Sequence, residues 1–323
     1  MSKTMNILTL LLTALCPLAA GSCAETERTF DKVSVTITDT AVQPERWTNG
    51  DQIGCYVLEN GQPVVANINL QASCRDAAAG KFAGTFYHLR STAAYSLLCY
   101  SPYESGYDNL DGKTLKIILP PIQNEQTHPV TVGLQEFSVK GDKADIQVPM
   151  ETLSASVLVS VSAGEGPYKG WKLREVTIQA PAGVFLSGEA TVSTSQKRLK
   201  SLSGGSRFNT VSFKPTKAAT LGGTPVEMIL QAIPATLVNC PVSILLTLTD
   251  GKAERTLCHR YAAFPTDIGA GKRVVLEEHI PAVVAGDWTT ADYPGTSWEE
   301  AAPEKTSGAG NSDLKLPPGV KAV

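Results

Sequence analysis

The sequence predicts an all-β protein built from β-sandwiches, and three observations support this fold class. Apolar and polar residues alternate with a period of two in many short stretches, which is typical of strands with one buried face. Turn-forming Gly, Pro, Asn-Gly and Asp-Gly residues separate these stretches. No stretch has the i, i+3, i+4, i+7 apolar spacing of an amphipathic helix. The low charged fraction of 18%, with abundant Thr, Ser, Val and Gly, also favours strands and turns.

In the first half, the predicted strands follow the alternation closely. The first strand has an apolar face that consists of Val33, Val35 and Ile37. Asn49-Gly50 predicts a tight turn because both residues tolerate positive φ, and Trp47 before it is expected to anchor this turn to a core. Alternation resumes at 53–57. A further strand at 115–119 follows Asp111-Gly112, which predicts a hairpin turn.

In the second half, further short stretches with strand-like patterns follow one another. They lie at 156–161, 175–179, 226–231, 242–249, 255–261 and 273–277. Asp250-Gly251 separates two of them and predicts that 242–249 and 255–261 form a hairpin. Many short strands separated by turn signals are typical of sandwiches.

The length of 323 residues predicts about two domains. We place the first at 23–143 and the second at 144–288, because residues 140–143 form an exposed, charged turn sequence. The turn-rich residues 163–167 are the alternative boundary. Residues 122–139 are expected to form a loop-rich crossover, and the Gly-, Pro- and Glu-rich residues 289–323 an extended or disordered tail.

Residues 1–22 have the pattern of an export signal, with Lys3 before a short apolar run. The apolar run is too short to span a bilayer. The small residues 20–22 before Cys23 are similar to the lipobox of bacterial lipoproteins, which implies cleavage before Cys23 and its lipidation. The alternative is ordinary signal cleavage, with Cys23 incidental.

The sequence lacks the short motifs that mark catalytic and cofactor sites. Its four histidines are scattered, and no metal-ligand spacing, nucleophile elbow or phosphate-binding loop occurs. We therefore expect no catalytic residue, no metal site and no cofactor. The net charge of −3 gives no electrostatic case for nucleic acid as a partner. Cys55 and Cys99 are expected to be small buried hydrophobes, whereas Cys240 and Cys258 flank one predicted hairpin and are an alternative disulfide pair.

Several short motifs, in order and spacing, resemble one family. They are W-x-x-G-D-x-I-G at 47–54, G-x-F at 80–82, a tyrosine-rich Y-x-P-Y segment at 95–103, P-x-x-Q at 120–123, S-G at 187–188, P-x-x-L at 234–237 and A-G-K at 270–272. Together with Cys23, they resemble the fimbrillin-like (Mfa-like, type V pilin-related) surface lipoproteins of Bacteroidetes. The chain departs from the family at 153–159, which lacks the usual Phe and His.

The resemblance implies two tandem transthyretin-like β-sandwich domains and a cell-surface, outer-membrane lipoprotein. Some members polymerise as pili, while others anchor or cap the pilus or remain single surface proteins. The implied partners are other pilus subunits, which bind by strand addition, and the lipid anchor in the outer membrane. Host or glycan ligands are also implied.

In polymerising members, a trypsin-like protease removes the N-terminal strand, and a strand of the next subunit fills the groove. Here the candidate removable strand carries Val33, Val35 and Ile37. Arg46 is the candidate cleavage site, whereas cleavage at Arg28 would release only the lipid tether. The alternative is that this strand stays in place. The tail at 289–323 contains four prolines and is a poor donor, which favours a minor, tip, anchor or accessory subunit over a shaft subunit. The alternative function is a glycan-binding or adhesive surface lipoprotein that does not polymerise.

Overall fold

The structure is a computed structural model that describes residues 26–41, 47, 49–72, 80–105, 114–193 and 196–291. These residues form 22 β-strands and no helix, which confirms the all-β prediction. The strands form four sheets, and their buried residues form three apolar clusters. Among the described residues, no helix has the length and hydropathy to cross a membrane.

The first sheet has eight strands and comes from the first half of the chain. Its strands are β1 (Thr29–Asp39), β2 (Gln52–Glu59), β3 (Gln62–Ala72), β4 (Lys81–Arg90), β5 (Ala94–Ser101), β8 (Thr131–Ser138), β9 (Lys143–Val148) and β10 (Glu151–Thr152). Their order is β10-β8-β5-β2-β3-β4-β1-β9. All neighbours are antiparallel except β1 and β9, which are parallel. One apolar cluster contains residues from β1, β9, β2 and β5, so the sheet curls around a core of its own.

Two further sheets face each other in the second half. The smaller sheet has β11 (Ala155–Ala163) between β18 (Val226–Ala232) and β21 (Arg273–Ile280). The larger sheet contains β7 (Ile122–Gln123), β12 (Lys172–Gln179), β16 (Thr210–Phe213), β17 (Ala219–Thr220), β19 (Val242–Thr249), β20 (Glu254–Tyr261) and β22 (Trp288–Ala291). Its order is β22-β20-β19-β12-β16-β7, and β17 also pairs with β12. Their inward side chains share one cluster, as a β-sandwich requires.

The fourth sheet connects the two halves of the chain. Its strands are β6 (Thr114–Leu119), β13 (Ser187–Ser193), β14 (Arg198–Ser201) and β15 (Arg207–Phe208). The strand β6 pairs with β13, so the hairpin expected at Asp111-Gly112 is wrong, although the turn residues themselves lie outside the described part. The physical reason is burial: Leu115, Ile117 and Leu119 share a cluster with residues of β13.

Several other expectations have a clear outcome. The hairpin of β19 and β20 is confirmed, with Gly251 at a φ of 90° in its turn. Trp47 is 8% exposed, which confirms that it anchors its turn to a core. The loop-rich crossover at 122–139 is wrong because β8 lies there, pairing with β5 and burying Val132.

The domain limits remain a proposal. The limit between residues 143 and 144 falls at the start of β9, which pairs with β1, so strands on both sides of this limit belong to the first sheet. In addition, β7 pairs with β16 of the second half. The strand β22 includes residues 289–291, the first three residues of the expected tail, and residues 292–323 lie outside the described part.

Candidate functional site

The strand β1 brings together Val33, Val35 and Ile37, three of the residues that the sequence singled out. Their side chains are 0%, 2% and 0% exposed, and all three belong to the core of the first sheet. Ser34 between them is exposed. The period-two pattern therefore places one apolar row of β1 in the core and one polar row on the outside.

The strand β1 is an interior strand with partners on both sides. It is antiparallel to β4, with Val35 opposite Gly84, and parallel to β9, with Val35 opposite Ala144. Backbone bonds at the two ends of the β1–β9 ladder extend this pairing, from Ser34 N to Asp142 O at 2.8 Å and from Thr40 N to Val148 O at 3.1 Å. Loss of β1 would therefore expose two hydrogen-bonding edges and an apolar groove between them.

A buried carboxylate holds the end of β1. Asp39 is 0% exposed, and its Oδ2 accepts a hydrogen bond of 2.8 Å from Trp47 Nε1. Its Oδ1 accepts bonds from Ala41 N at 2.9 Å and from Met150 N at 3.0 Å. A buried charge is tolerated when several donors compensate its lost hydration. Asp39 thereby connects the end of β1 to Trp47 and to Met150, which lies between β9 and β10.

Packing fixes the Trp47 indole in position for this bond. Its ring meets Phe82 edge-on, with centroids 5.0 Å apart. Gly80 lies directly beneath it, since a Cβ at that position would lie 2.6 Å from Trp47 Cδ1. Because indole has a single N–H donor, this orientation commits that donor to Asp39.

Hydrogen bonds and ion pairs at the surface hold the residues that precede β1. The backbone of Arg28 bonds to Ser91 in both directions, with Arg28 N donating to Ser91 Oγ at 3.0 Å and Arg28 O accepting from Ser91 N at 2.8 Å. Arg90 pairs with Glu27 at 3.1 Å and also with Glu59. Arg28 is itself exposed. The other two site residues from the sequence, Cys23 and Arg46, lie outside the described residues.

Asp39 was not among the predicted site residues, although the same alternation includes it. Asp39 continues the series 33, 35, 37 and therefore lies on the buried face. A carboxylate at a core-facing position of a strand indicates a buried hydrogen-bonding site.

A second buried carboxylate, Glu278, lies in the other core and was missed for the same reason. It follows Leu276 and precedes Ile280 on the inward face of β21. Glu278 Oε2 lies 2.7 Å from His259 Nδ1, and its Oε1 accepts a bond of 2.8 Å from Tyr261 Oη. Burial raises the pKa of Glu278, although the bonds from Tyr261 and His259 oppose this effect. Burial and the charge of Glu278 also raise the pKa of Tyr261.

This cluster connects the last strand to the sandwich. The His259 ring stacks on Trp288 of β22, with centroids 4.7 Å apart and planes at 4°. Among the described residues, the hydrogen-bonding partner of His259 is the Glu278 carboxylate, and no group of His, Cys, Asp and Glu side chains could hold a metal ion. The arrangement is suited to holding β22 against β20.

A shallow cleft of about 380 Å³ lies on the outer face of the larger sheet. Gln179, Ser243 and Arg260 form one row across it, because they are direct neighbours on β12, β19 and β20. Asn209 and two prolines complete the wall. The row offers amide, hydroxyl and guanidinium groups to a polar ligand.

The alternative disulfide between Cys240 and Cys258 is not formed in this structure, in which all four described cysteines are free thiols. In the β19–β20 ladder, Cys258 lies opposite Leu245, five positions from Cys240. Since a strand advances about 3.4 Å per residue, the two sulfurs are too far apart to bond.

Comparison with known proteins yields structural likeness alone. No family model and no curated protein matches the sequence. A candidate cell adhesion protein from Bacteroides uniformis aligns with a TM-score of 0.51 at 16% identity, over 81% of this chain and 97% of that chain. Another from Bacteroides fragilis has a TM-score of 0.53 at 9% identity, over 81% and 96%. A fimbrial assembly protein from Parabacteroides distasonis has a TM-score of 0.41 at 14% identity, over 78% and 91%.

At these identities the likeness concerns the fold. The two structures with TM-scores above 0.5 are covered almost completely, so the likeness in fold extends over nearly their whole length. The all-β fold implied by the fimbrillin-like resemblance is therefore confirmed, and the chain has the fold of these candidate cell adhesion proteins of Bacteroides.

Proposed function

We propose that the chain is a fimbrillin-type cell-surface lipoprotein, anchored in the outer membrane through Cys23, that acts as a pilus-associated structural subunit in adhesion. It has no enzymatic activity and no cofactor in this role. The single observation that supports this most is the setting of β1. It is an interior strand with an apolar row in the core, and it is followed closely by Arg46.

In this proposal, a trypsin-like protease cuts after Arg46 and β1 leaves. The edges of β4 and β9 then offer main-chain donors and acceptors to an incoming strand of another subunit. The incoming strand would fill the sites of Val33, Val35 and Ile37. Removal of β1 also removes Asp39, which accepts hydrogen bonds from Trp47 and Met150. An incoming strand would restore these bonds if it carried a carboxylate two positions after its third apolar residue.

The chain's own tail is a poor match to this requirement. Its residues 292–323 contain no run of three alternating aliphatic residues followed by an acidic residue, and Leu314 and Leu316 are followed at once by two prolines. Proline removes a ladder donor. This favours a minor, tip, anchor or accessory subunit, which accepts a strand from a different protein, over a shaft subunit.

The test is mass spectrometry of the mature N-terminus, on protein released from the cell surface before and after mild trypsin treatment. We expect lipidated Cys23 before treatment and a new N-terminus at Trp47 after it. Arg46→Gln should block the second product, whereas Arg28→Gln, the matched control, should leave it unchanged. Lipidated protein that is never cut at Arg46, even with protease present, would contradict strand removal.

The alternative function is a glycan-binding or adhesive surface lipoprotein that does not polymerise, and the cleft at Arg260 is the observation that favours it. A guanidinium beside an amide and a hydroxyl suits an acidic saccharide. Binding of an acidic oligosaccharide on a glycan array, lost in Arg260→Gln and kept in Arg255→Gln, would support this function. Unchanged binding by Arg260→Gln would contradict a role for the cleft.

A further inference from the structure

Two buried thiols face each other on adjacent interior strands of the first sheet. Cys55 on β2 and Cys99 on β5 are direct partners in the antiparallel ladder, and both are 0% exposed. Their Sγ atoms lie 3.5 Å apart. Their proximity could not be predicted from local sequence patterns, because 43 residues separate the two cysteines.

The backbone already has the geometry that a disulfide needs. Directly opposed residues of an antiparallel pair have Cα atoms about 4.5 to 5.5 Å apart, within the range of about 4.4 to 6.8 Å found for disulfides. Both side chains point into the same core. A rotation of the two side chains therefore suffices to bring the sulfurs to bonding distance, and no strand has to move.

Nothing else among the described residues competes for these sulfurs. Ile68 lies beside Cys55 on β3, and Gly133 lies beside Cys99 on β8. The remaining described cysteines, Cys240 and Cys258, belong to the second half of the chain. We propose that Cys55 and Cys99 form a disulfide that joins two adjacent interior strands of the first sheet, β2 and β5, in the exported protein.

The bond forms by thiol–disulfide exchange with an oxidant of the disulfide class, such as a dithiol oxidoreductase in its oxidised form or oxidised glutathione. One cysteine thiolate attacks the oxidant and gives a mixed disulfide, and the other attacks that bond. The oxidant leaves as two thiols, so two electrons and two protons pass to it. Burial raises the pKa of the Cys55 thiol, which suppresses the reactive thiolate once the core has closed. Exchange therefore takes place during folding.

The inference rests on the export step of the proposed function, since an oxidising compartment is required. It does not depend on strand removal or on pilus assembly. The disulfide would close a loop that contains β3 and β4, and β4 is the strand that pairs with β1. It would therefore hold the first sheet together whether β1 is present or absent.

The test uses the full chain with its own leader, expressed in a Gram-negative host and lysed in N-ethylmaleimide under denaturing conditions. Digestion with trypsin alone leaves Cys55 and Cys74 in one peptide, because no Lys or Arg lies between them. A second protease that cuts after Glu59 separates them. We expect peptide 47–59 linked to peptide 91–104, with both peptides free of N-ethylmaleimide, and two single peptides after reduction.

A parallel sample is denatured, reduced and refolded with a mixture of reduced and oxidised glutathione. A link in both samples supports the proposal. A link only after refolding would overturn the proposal that the bond forms in the exported protein, whereas lipidation at Cys23 is decided separately by the mature N-terminus. Absence from both, or a link of either cysteine to Cys74, would overturn the disulfide itself.

Thermal unfolding gives a second readout that needs no peptide mapping. Refolding under a reductant should lower the midpoint of the wild-type chain by on the order of 5 °C. The double variant Cys55→Ala, Cys99→Ala should have the same midpoint with and without reductant. Cys240→Ala, the control, should respond to reductant like the wild type, and an equal midpoint for oxidised and reduced wild-type chains would contradict a stabilising bond.

Discussion

Trp47 Nε1 donates a hydrogen bond of 2.8 Å to the buried carboxylate of Asp39, and this bond joins the end of β1 to the residue that follows the proposed cleavage segment. The two residues stand on opposite sides of Arg46 in the sequence. A cut after Arg46 would therefore separate Asp39 from Trp47 covalently while leaving the hydrogen bond in place. Release of β1 would then require this bond to break.

Replacing Asp39 should loosen the end of β1. In Asp39→Ala, the donors of Trp47, Ala41 and Met150 lose a charged acceptor inside the core, which should cost about 3 kcal/mol of unfolding free energy. Asp39→Asn keeps one acceptor oxygen and should cost less, about 1 to 2 kcal/mol. Urea unfolding measures both. The exposed Asp31→Ala on the same strand is the control and should change stability by less than about 0.5 kcal/mol.

The apolar row of β1 should tolerate charge far less than its polar row. Val35→Glu places a carboxylate among the apolar side chains of the first core. It should lower the free energy of unfolding by at least about 3 kcal/mol, because the carboxylate loses its hydration there without gaining hydrogen bonds. Ser34→Glu changes the neighbouring exposed position and should cost less than about 0.5 kcal/mol. The measurement is the urea midpoint together with the rate of tryptic digestion. Equal effects of the two substitutions would mean that β1 is not seated in the core.

The Gln123 side chain should be essential at the junction of the two halves. Its Nε2 donates to Gln231 O at 2.7 Å, and its Oε1 accepts from Gln231 N at 2.7 Å, so one amide satisfies the backbone of β18 in both directions. Gln123→Leu leaves the buried backbone N–H and C=O of Gln231 without the side-chain amide as a partner. It should lower the free energy of unfolding by about 3 kcal/mol. The exposed Gln126→Leu is the control. Calorimetry should show a lower midpoint for Gln123→Leu alone.

Stability should depend on pH through Glu278. Because burial raises the pKa of this carboxyl group in the folded state, its contribution to stability is complete below the ordinary glutamate pKa and is lost as the pH rises through the raised value. Glu278→Gln cannot ionise. The difference in stability between wild type and variant should therefore shift in favour of the variant as the pH rises above the ordinary glutamate pKa, with a slope of at most about 1.4 kcal/mol per pH unit.

The control for this experiment is the exposed neighbour Glu277→Gln. It should leave the pH dependence of the unfolding midpoint unchanged. A wild-type profile parallel to that of Glu278→Gln over the same range would show that Glu278 does not titrate in a different range in the folded state.

The sequence by itself determined the fold class, many strands and the burial of individual side chains. Alternation with a period of two tells which face of a strand is buried, and turn signals such as Asp250-Gly251 tell which neighbours in the chain pair with each other. Both kinds of information are local. For this reason β1 and the β19–β20 hairpin were predicted correctly.

Only the tertiary structure decided which distant strands meet. Alternation does not specify a partner, so the parallel pairing of β1 with β9, the pairing of β6 with β13 and the insertion of β8 beside β5 were not foreseen. The same holds for the contacts of Asp39 with Trp47 and of Cys55 with Cys99. Long-range pairing is set by which edges and apolar faces can be satisfied together once the whole chain has folded, and this depends on all strands at once.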